Sequence, residues 1–503
     1  MASSLLILIL ILVIISLALL IGQRERKRRR LPPSPPRIPI LGNLLWLTKP
    51  FSQLEPTLHH LRAKYGSIFT LYVGSRPVIF IMDGKQVHRS LIENSEAFAD
   101  RPLPLSRSDL NGNLHSINNT PYGPLWRLLR RNLISEVIHL SKAGESSSSI
   151  QCMAFEILLK SLKAEAEANS GIVVPVHSIQ HSFSFFMSSL CFGEIMEQKV
   201  VDQIMNVQLE LIQIVEKLFA LNLLPKVTLL LYCTRLGKLK QLRRAHQELL
   251  LPIIKACKQR VKDTDVISYV DSLFKLKVPA DNEGNMRELS EEEIMSFISE
   301  FLDASIRPAS ATLEWIMARL VKHQDIQNKL RKEIRSVVGE KRRQVNKDEL
   351  QRMPYLKAVI LEALRRHPPA HFLIPHGVKE NVMMDEYLIP KGTVVNYLVA
   401  SLGLDETVWE DPLVFRPERF MVGGEGEERG KRDNIKTMMP FGAGRRMCPG
   451  MDIAMLQLEY LVANLVNEME LKTVPGMEVD LSEKAELVVA MKNPLHARII
   501  STA

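Results

Sequence analysis

Hydrophobic positions are arranged differently in different parts of the chain. From Leu5 to Ile21 they run without a charge, and Ser16 is the only polar interruption. As a helix rising 1.5 Å per residue, that run would span about 25 Å, close to the hydrocarbon of a thin bilayer. Ile68–Val73 and Val78–Met82 alternate or run apolar around Gly74 and Ser75, which predicts a short hairpin. Elsewhere the period is helical, over Leu125–Leu133, Val201–Ala220, Leu239–Val261 and Met353–Arg366. The longest helical stretch opens on Ser290 with Glu293 three residues on, a capping box, and Glu291 and Glu292 suit the positive end of its dipole. Its apolar positions recur from Ile294 through Phe297, Ile298, Phe301 and Leu302 to Leu313, Ile316, Met317 and Leu320. That gives about thirty residues, or roughly 45 Å, enough to cross a whole domain. The expected fold class is mainly α with small β sheets (α+β).

Composition narrows the class. A chain of 503 residues with 46% hydrophobic content buries a sizeable core and is not disordered. The net charge of +9 would suit a nucleic-acid reader, but much of it lies in Arg24–Arg30, directly after the apolar run. The excess therefore has a membrane reading first, and no nucleic-acid partner is expected. No basic residue precedes the apolar run and no A-x-A-like site follows it. Residues 1–23 accordingly read as a retained transmembrane signal anchor in preference to a cleaved signal peptide, with everything after them cytosolic. Leu31–Pro39 is too proline-dense for helix or central strand, so residues 24–39 form a basic, stiff linker and 40–503 the folded domain. The loop Gly423–Arg432 has neither strand before it nor helix after it, and reads as a solvated insertion. The five cysteines, Cys152, Cys191, Cys233, Cys257 and Cys448, are odd in number and include no C-x-x-C pair, which argues against a disulfide framework or zinc site.

If cysteine chemistry matters, one residue must carry it, and Pro440-Phe441-Gly442-Ala443-Gly444-Arg445-Arg446-Met447-Cys448-Pro449-Gly450 is the place. Its glycines permit a tight turn and close approach to a flat ligand, and Arg446 offers a fork for a carboxylate. A thiolate at Cys448 would sit among loop amides with a helix starting behind it, the shelter that a thiolate ligand of haem iron needs. A buried structural cysteine in a glycine turn is the alternative that the loop alone leaves open.

At this point the sequence resembles the cytochrome P-450 family from end to end. Phe441, Gly444, Arg446, Cys448 and Gly450 match every fixed position of the family's cysteine-loop signature. Glu362-Ala363-Leu364-Arg365 matches its E-x-x-R helix, Phe415–Phe420 its P-E-R-F segment, and Trp126–Arg130 its W-x-x-x-R helix, all in the expected order. Leu31–Pro36 with Gly42-Asn43, and Phe98–Pro102, resemble plant endoplasmic-reticulum members, closest to the plant eighty-nine and seventy-seven families. The resemblance implies a P-450 fold behind an N-terminal anchor, haem b with Cys448 as axial thiolate, and haem contacts from Pro440, Phe441, Gly444 and Gly450. It also implies that Arg130, Arg446 and, more weakly, His376 neutralise the haem propionates beside Trp126. Glu362, Arg365 and Arg419 would form a buried network, where spacing alone reads as a surface ion pair of little worth. Arg127, Arg130 and Arg131 could otherwise form a solvated basic face that docks an acidic electron-transfer partner. No flavin or nicotinamide fingerprint occurs, so electrons are expected from NADPH through a separate FAD/FMN reductase, with cytochrome b5 as a further partner. The implied setting is a single-pass protein of the endoplasmic reticulum membrane, in contact with lipid, serving plant secondary metabolism.

The sequence departs from the family on the long helix. Where the family has A-G-x-D-T, this chain has Ala304, Ser305, Ile306, Arg307 and Pro308. The family's acid and alcohol relay protons during oxygen activation, whereas Arg307 is a permanent cation and Pro308 has neither hydroxyl nor amide hydrogen. Pro308 is also expected to bend the helix. Ser305 could supply a hydroxyl from one turn earlier. Three functions remain open: a monooxygenase using Ser305, water or a substrate hydroxyl; an atypical haem-thiolate enzyme performing rearrangement, dehydration or cyclisation; and a weakly catalytic haem protein with a binding or organising role. Arg307 discriminates between them, being useful if it faces the pocket and structural if it turns to a neighbouring carboxylate. By resemblance the pocket is lined by Leu105–Ile117, by Phe297, Phe301, Ala304 and Ser305, by Ala370–Leu373 including His371 and Phe372, and by Leu487–Val489 including Val488, with Leu209–Leu224 as roof. These stretches are largely apolar, so the expected substrate is a lipophilic small molecule. Core packing for Phe297 and Phe301, and a capped turn for His371, are the plainer alternatives.

Overall fold

The computed structural model describes residues 31–39, 41–47, 49–102, 116–142, 145–218, 232–260, 268–280, 285–339, 343–421, 437–484 and 486–501. The predicted anchor and its basic run, 105–115 of the pocket loop, 219–224 of the roof and the 423–432 loop lie outside these residues. Among the described residues no helix is long and apolar enough to cross a membrane.

The proline-rich stretch is extended, as its fixed φ angles require, and it is docked. Thr70 donates its amide to the Pro33 carbonyl at 2.7 Å and its hydroxyl to that of Pro32 at 3.0 Å. After helix α1 (Phe51–Tyr65) come β1 (Ile68–Val73) and β2 (Arg76–Ile81), paired antiparallel with Ile68 opposite Ile81. The second strand starts two positions before the predicted Val78, because the turn needs only Gly74 and Ser75 and so pairs Val73 with Arg76.

The helical layer follows: α2 (Pro124–Lys142), α3 (Glu145–Ala168), α4 (Val176–Phe192), α5 (Gln198–Leu218) and α6 (Cys233–Arg260). Helix α4 is buried nearly all round, from Ile179 through Phe183, Phe185 and Phe186 to Phe192, and packs along the central helix α7 (Glu291–Lys322). The capping box forms as the sequence predicts: the Glu293 amide donates to Ser290 Oγ at 3.2 Å and the Ser290 amide to Glu293 Oε2 at 2.8 Å. Helix α7 runs unbroken through Arg307 and Pro308. Helix α8 (Pro354–Arg366) and, near the C-terminus, α9 (Met451–Glu468) pack on its C-terminal half. Strands β3 (His376–Gly377) and β4 (Val394–Tyr397) complete the main sheet in the order β1-β2-β4-β3, with β2 and β4 parallel. A last hairpin, β5 (Glu483–Lys484) and β6 (Ala490–Met491), is fastened to α7, where Trp315 Nε1 donates to the Val489 carbonyl at 3.1 Å.

The surface ion pair that spacing alone suggested is not what Glu362 and Arg365 make. Both side chains, and that of Arg419, are fully buried. Arg365 forks onto Glu362 with two bonds of 2.8 Å, Arg419 Nε reaches the same carboxylate at 3.3 Å, and the Arg416 amide donates to it at 2.8 Å. Arg419 also donates to the carbonyls of Glu410 at 2.8 Å and Asp411 at 3.2 Å. Removing that carboxylate would take from two buried guanidinium groups the acid that both share. Glu362→Ala is therefore expected to lose about 3–5 kcal/mol of stability, read by denaturant unfolding; a loss under about 1 kcal/mol would mean that the pair behaves as an exposed one.

Candidate functional site

The cysteine loop is shaped by close backbone approach. Gly444 sits at φ +70°, and a Cβ there would overlap the Leu91 carbonyl oxygen, so only glycine fits. Gly444–Arg446 form a single 3₁₀ turn, after which the Cys448 amide donates to the Phe441 carbonyl at 2.8 Å. Helix α9 begins at Met451, which turns its positive end toward Cys448. Burial pushes the Cys448 thiol up, while the Gly450 amide and the Arg130 guanidinium draw it down.

Around this loop stand three arginines, Arg101 buried and Arg130 and Arg446 half-buried, with the buried His376 beside them. Arg446 lies over Trp126 at 4.5 Å and Arg130 over the same ring at 5.4 Å. Arg446 donates to the carbonyls of Ala99 and Thr120, both at 2.7 Å, and Arg130 to that of Met447. Arg101 spends its fork on the carbonyls of Asn118, Ile374 and Pro375 at 2.9–3.1 Å. His376 donates from Nδ1 to the Phe98 carbonyl at 2.6 Å. Burial, then the neighbouring Arg446, pushes Arg101 down to about 9; burial pushes Arg446 down to about 10; burial and Arg101 push His376 down to about 3. These groups are destabilised as cations chiefly by burial and further by the guanidinium groups around them, with Glu300 and Asp100 as the acids beside the arginines.

The arrangement fits the haem that the resemblance implies. A flat dianionic group would bring the negative charge that Arg101, Arg130 and Arg446 lack, and Cys448 offers one soft ligand on a loop stripped of side-chain bulk at Gly444. On α7, Ala304 is exposed while Phe301, Leu302 and Ile306 around it are buried, so the helix presents a bare face at that point.

The other predicted residues divide. Phe297 and Phe301 are buried in the main core, and Phe301 meets Tyr269 at 5.3 Å. Val488 is half-buried on the β5–β6 connection, and Phe372 packs with Leu398 and the β1–β2 face. His371 is held by Glu55 on α1, at 2.6 Å from Nδ1, and by Glu483 on β5, at 3.1 Å from Nε2. Glu483 also bonds His367 at 2.7 Å, and His367 stacks on Trp315. Ser305 donates its hydroxyl to the Leu302 carbonyl at 3.2 Å, and Thr312 donates to the Pro308 carbonyl at 2.8 Å. Arg307 pairs with Glu486 at 3.8 Å. Arg101, Glu300 and Asp303 belong to this region and escaped the sequence reading. The latter two were visible as a polar stripe with Arg307, at i, i+3 and i+7 of an otherwise apolar helix.

A family model described as Cytochrome P450 matches residues 32–498. Cytochrome P450 89A9 of Arabidopsis thaliana is 40% identical over 93% of this chain and 93% of its own length. A flavonoid 3'-monooxygenase of Crocosmia x crocosmiiflora is 30% identical over 92% of this chain and 91% of its own. Among solved structures, a zebrafish cytochrome P450 determined with progesterone superposes with a TM-score of 0.76 at 21% identity, covering 89% of this chain and 99% of that one.

The His371 bridge carries a pH signature. Burial alone would lower His371, but Glu483 and Glu55 outweigh it and raise the imidazole from 6.5 to about 9. Its stabilising contribution is therefore complete below pH 6.5 and is lost as pH rises through about 9. The melting-temperature advantage of the native protein over His371→Gln should follow that course, and an advantage independent of pH would contradict it.

Proposed function

The chain belongs to the cytochrome P450 family, and on that footing we propose that it oxidises a lipophilic small molecule of plant secondary metabolism at the endoplasmic reticulum membrane. Residues 1–23 would be its single-pass anchor, 24–39 its linker and 40–503 its cytosolic catalytic domain. As a family member it is a haem-thiolate monooxygenase that takes electrons from NADPH through a separate reductase. The observation that carries the reading is the arginine cluster beside Cys448, with Arg130 and Arg446 over Trp126, Arg130 on the Met447 carbonyl and Arg101 buried among carbonyls.

The bound haem supplies the reductive activation of dioxygen. Cys448 would hold its iron, and Arg130, Arg446 and Arg101 its carboxylates, with His376 placed to join them once negative charge raises its basicity. Trp126 fixes the two arginine forks between which it lies. Ala304 would leave room for dioxygen on α7, and Phe297, Phe301 and Val488 support an apolar substrate. Arg307 pairs with Glu486 of the terminal hairpin, which favours ordinary monooxygenation over chemistry built on that cation. Arg127 and Arg131, exposed on α2, suit docking of the acidic reductase, with cytochrome b5 as a second donor.

The reading predicts that, in a lipophilic plant extract treated with the full chain, new products gain oxygen only when NADPH and reductase are both present. Products that form without them and contain no added oxygen, by mass spectrometry, would replace oxidation with redox-neutral chemistry.

A further inference from the structure

Two adjacent arginines close α8, and the fold treats them oppositely. Arg365 is committed to the Glu362 network. Arg366 forms no hydrogen bond or ion pair among the described residues, and its Nε is shut off from water without an acceptor. A donor left in that state is unfavourable until something brings it a partner. Arg366 lines a cavity of about 440 Å³ together with Arg319 of α7 and the His371 bridge. Arg319 has no carboxylate of its own either: its Nε and Nη2 donate to His367 Nε2 at 3.1 and 2.7 Å, and its guanidinium lies over Phe415. With Nε2 accepting, His367 keeps its proton on Nδ1, toward Glu483, and is neutral. His371, clasped between Glu55 and Glu483, is cationic. The cavity wall therefore carries three cations, Arg319, Arg366 and His371, against two carboxylates, Glu55 and Glu483, a surplus of one positive charge. Burial, then Arg366, pushes Arg319 down to about 10, and burial, then Arg365, lowers Arg366. The rest of the wall is apolar, with Pro368, Ala400, Leu404, Leu413 and Leu481. Leu413 is 70% exposed and Leu404 37%, so hydrocarbon stands uncovered beside the unanswered charge.

We propose that this cavity is a binding site for an apolar monocarboxylate, with the carboxylate on the Arg366 fork beside Arg319 and the hydrocarbon laid on Leu404, Leu413 and Leu481. A carboxylate suits the planar guanidinium fork. Its single charge cancels the surplus, whereas a phosphate dianion would leave excess negative charge against Glu55 and Glu483, and a neutral lipid would leave Arg366 unanswered. None of the lining residues belongs to the arginine cluster at Cys448, so the site is separate from the proposed haem contacts and does not depend on the oxidation chemistry.

The test titrates the full chain, with haem, with sodium octanoate near neutral pH and reads binding by isothermal calorimetry. Saturable binding is expected in the native protein and is weakened about tenfold or more in Arg366→Gln, the usual scale for losing a hydrogen bond to a charged group. Octanol, which lacks the charge, and inorganic phosphate, which lacks the hydrocarbon, should each bind about tenfold or more less tightly than octanoate. Because Arg366 has no partner to lose, Arg366→Gln should melt no lower than the unliganded native protein, and octanoate should raise the melting temperature of the native protein only. Leu413→Asp, at a position already 70% exposed, should weaken octanoate as well while leaving the fold intact. Haem absorption, which a ligand near the iron would shift, should stay constant as octanoate binds. Equal octanoate affinity in native protein and Arg366→Gln overturns the proposal. So does octanol or phosphate binding as tightly as octanoate, or a haem absorption change that tracks the titration.

Discussion

Positive charge gathered out of water around one indole ring is the constraint on which this site depends. Arg130 and Arg446 lie over Trp126, Arg101 sits behind them, and each spends its donors on backbone carbonyls. Carbonyl dipoles solvate a guanidinium but do not cancel its charge, so burial, and then the neighbouring guanidinium groups, depress its basicity. A ligand bearing two carboxylates relieves that repulsion, and the thiol of Cys448 waits beside it at the start of α9. The Glu362 network serves a different end: there a buried carboxylate faces the guanidinium groups, and what it fixes is the packing of α8 against the segment around Arg419.

The central helix carries the second departure from uniform burial. Glu300, Asp303 and Arg307 set three ionisable side chains along one stripe of it, and each is answered differently. Glu300 is answered by loop amides, Arg307 by a carboxylate on the terminal hairpin, and Asp303 Oδ1 by nothing. The hairpin therefore matters beyond its few residues. Through Glu483 and Glu486 it ties α1, the end of α8 and the middle of α7 together, so its ion pairs set where Arg307 can go.

Local physics made part of this legible in the sequence. The Ser290 cap and the β1–β2 turn depend on neighbours within a few residues, and both form where expected, the strand shifting by only the length its turn dictates. The cysteine loop was legible because its glycines answer close contacts at fixed spacing. His371 shows the limit: its partner Glu55 is 316 residues away in sequence, and no local pattern could have drawn it there. Arg101 was passed over for the same reason, since the carbonyls of Ile374 and Pro375 that hold it come from a distant segment. Pro308 sits within an unbroken helix, where side-chain hydroxyls at Ser305, Ser310 and Thr312 all bond backbone carbonyls nearby. The stripe of Glu300 and Asp303 follows helical spacing and was legible in the sequence, but its burial depends on distant segments.

Ligation of haem by a thiolate at Cys448 within the cation set is the claim on which the account turns. Its most direct measurement is the difference spectrum of the purified full chain, reduced and exposed to carbon monoxide, set beside that of Cys448→Ser. The account predicts the thiolate-ligated band in the native protein and its complete loss in the variant. A native spectrum without that band, or one that the substitution leaves in place, would contradict it.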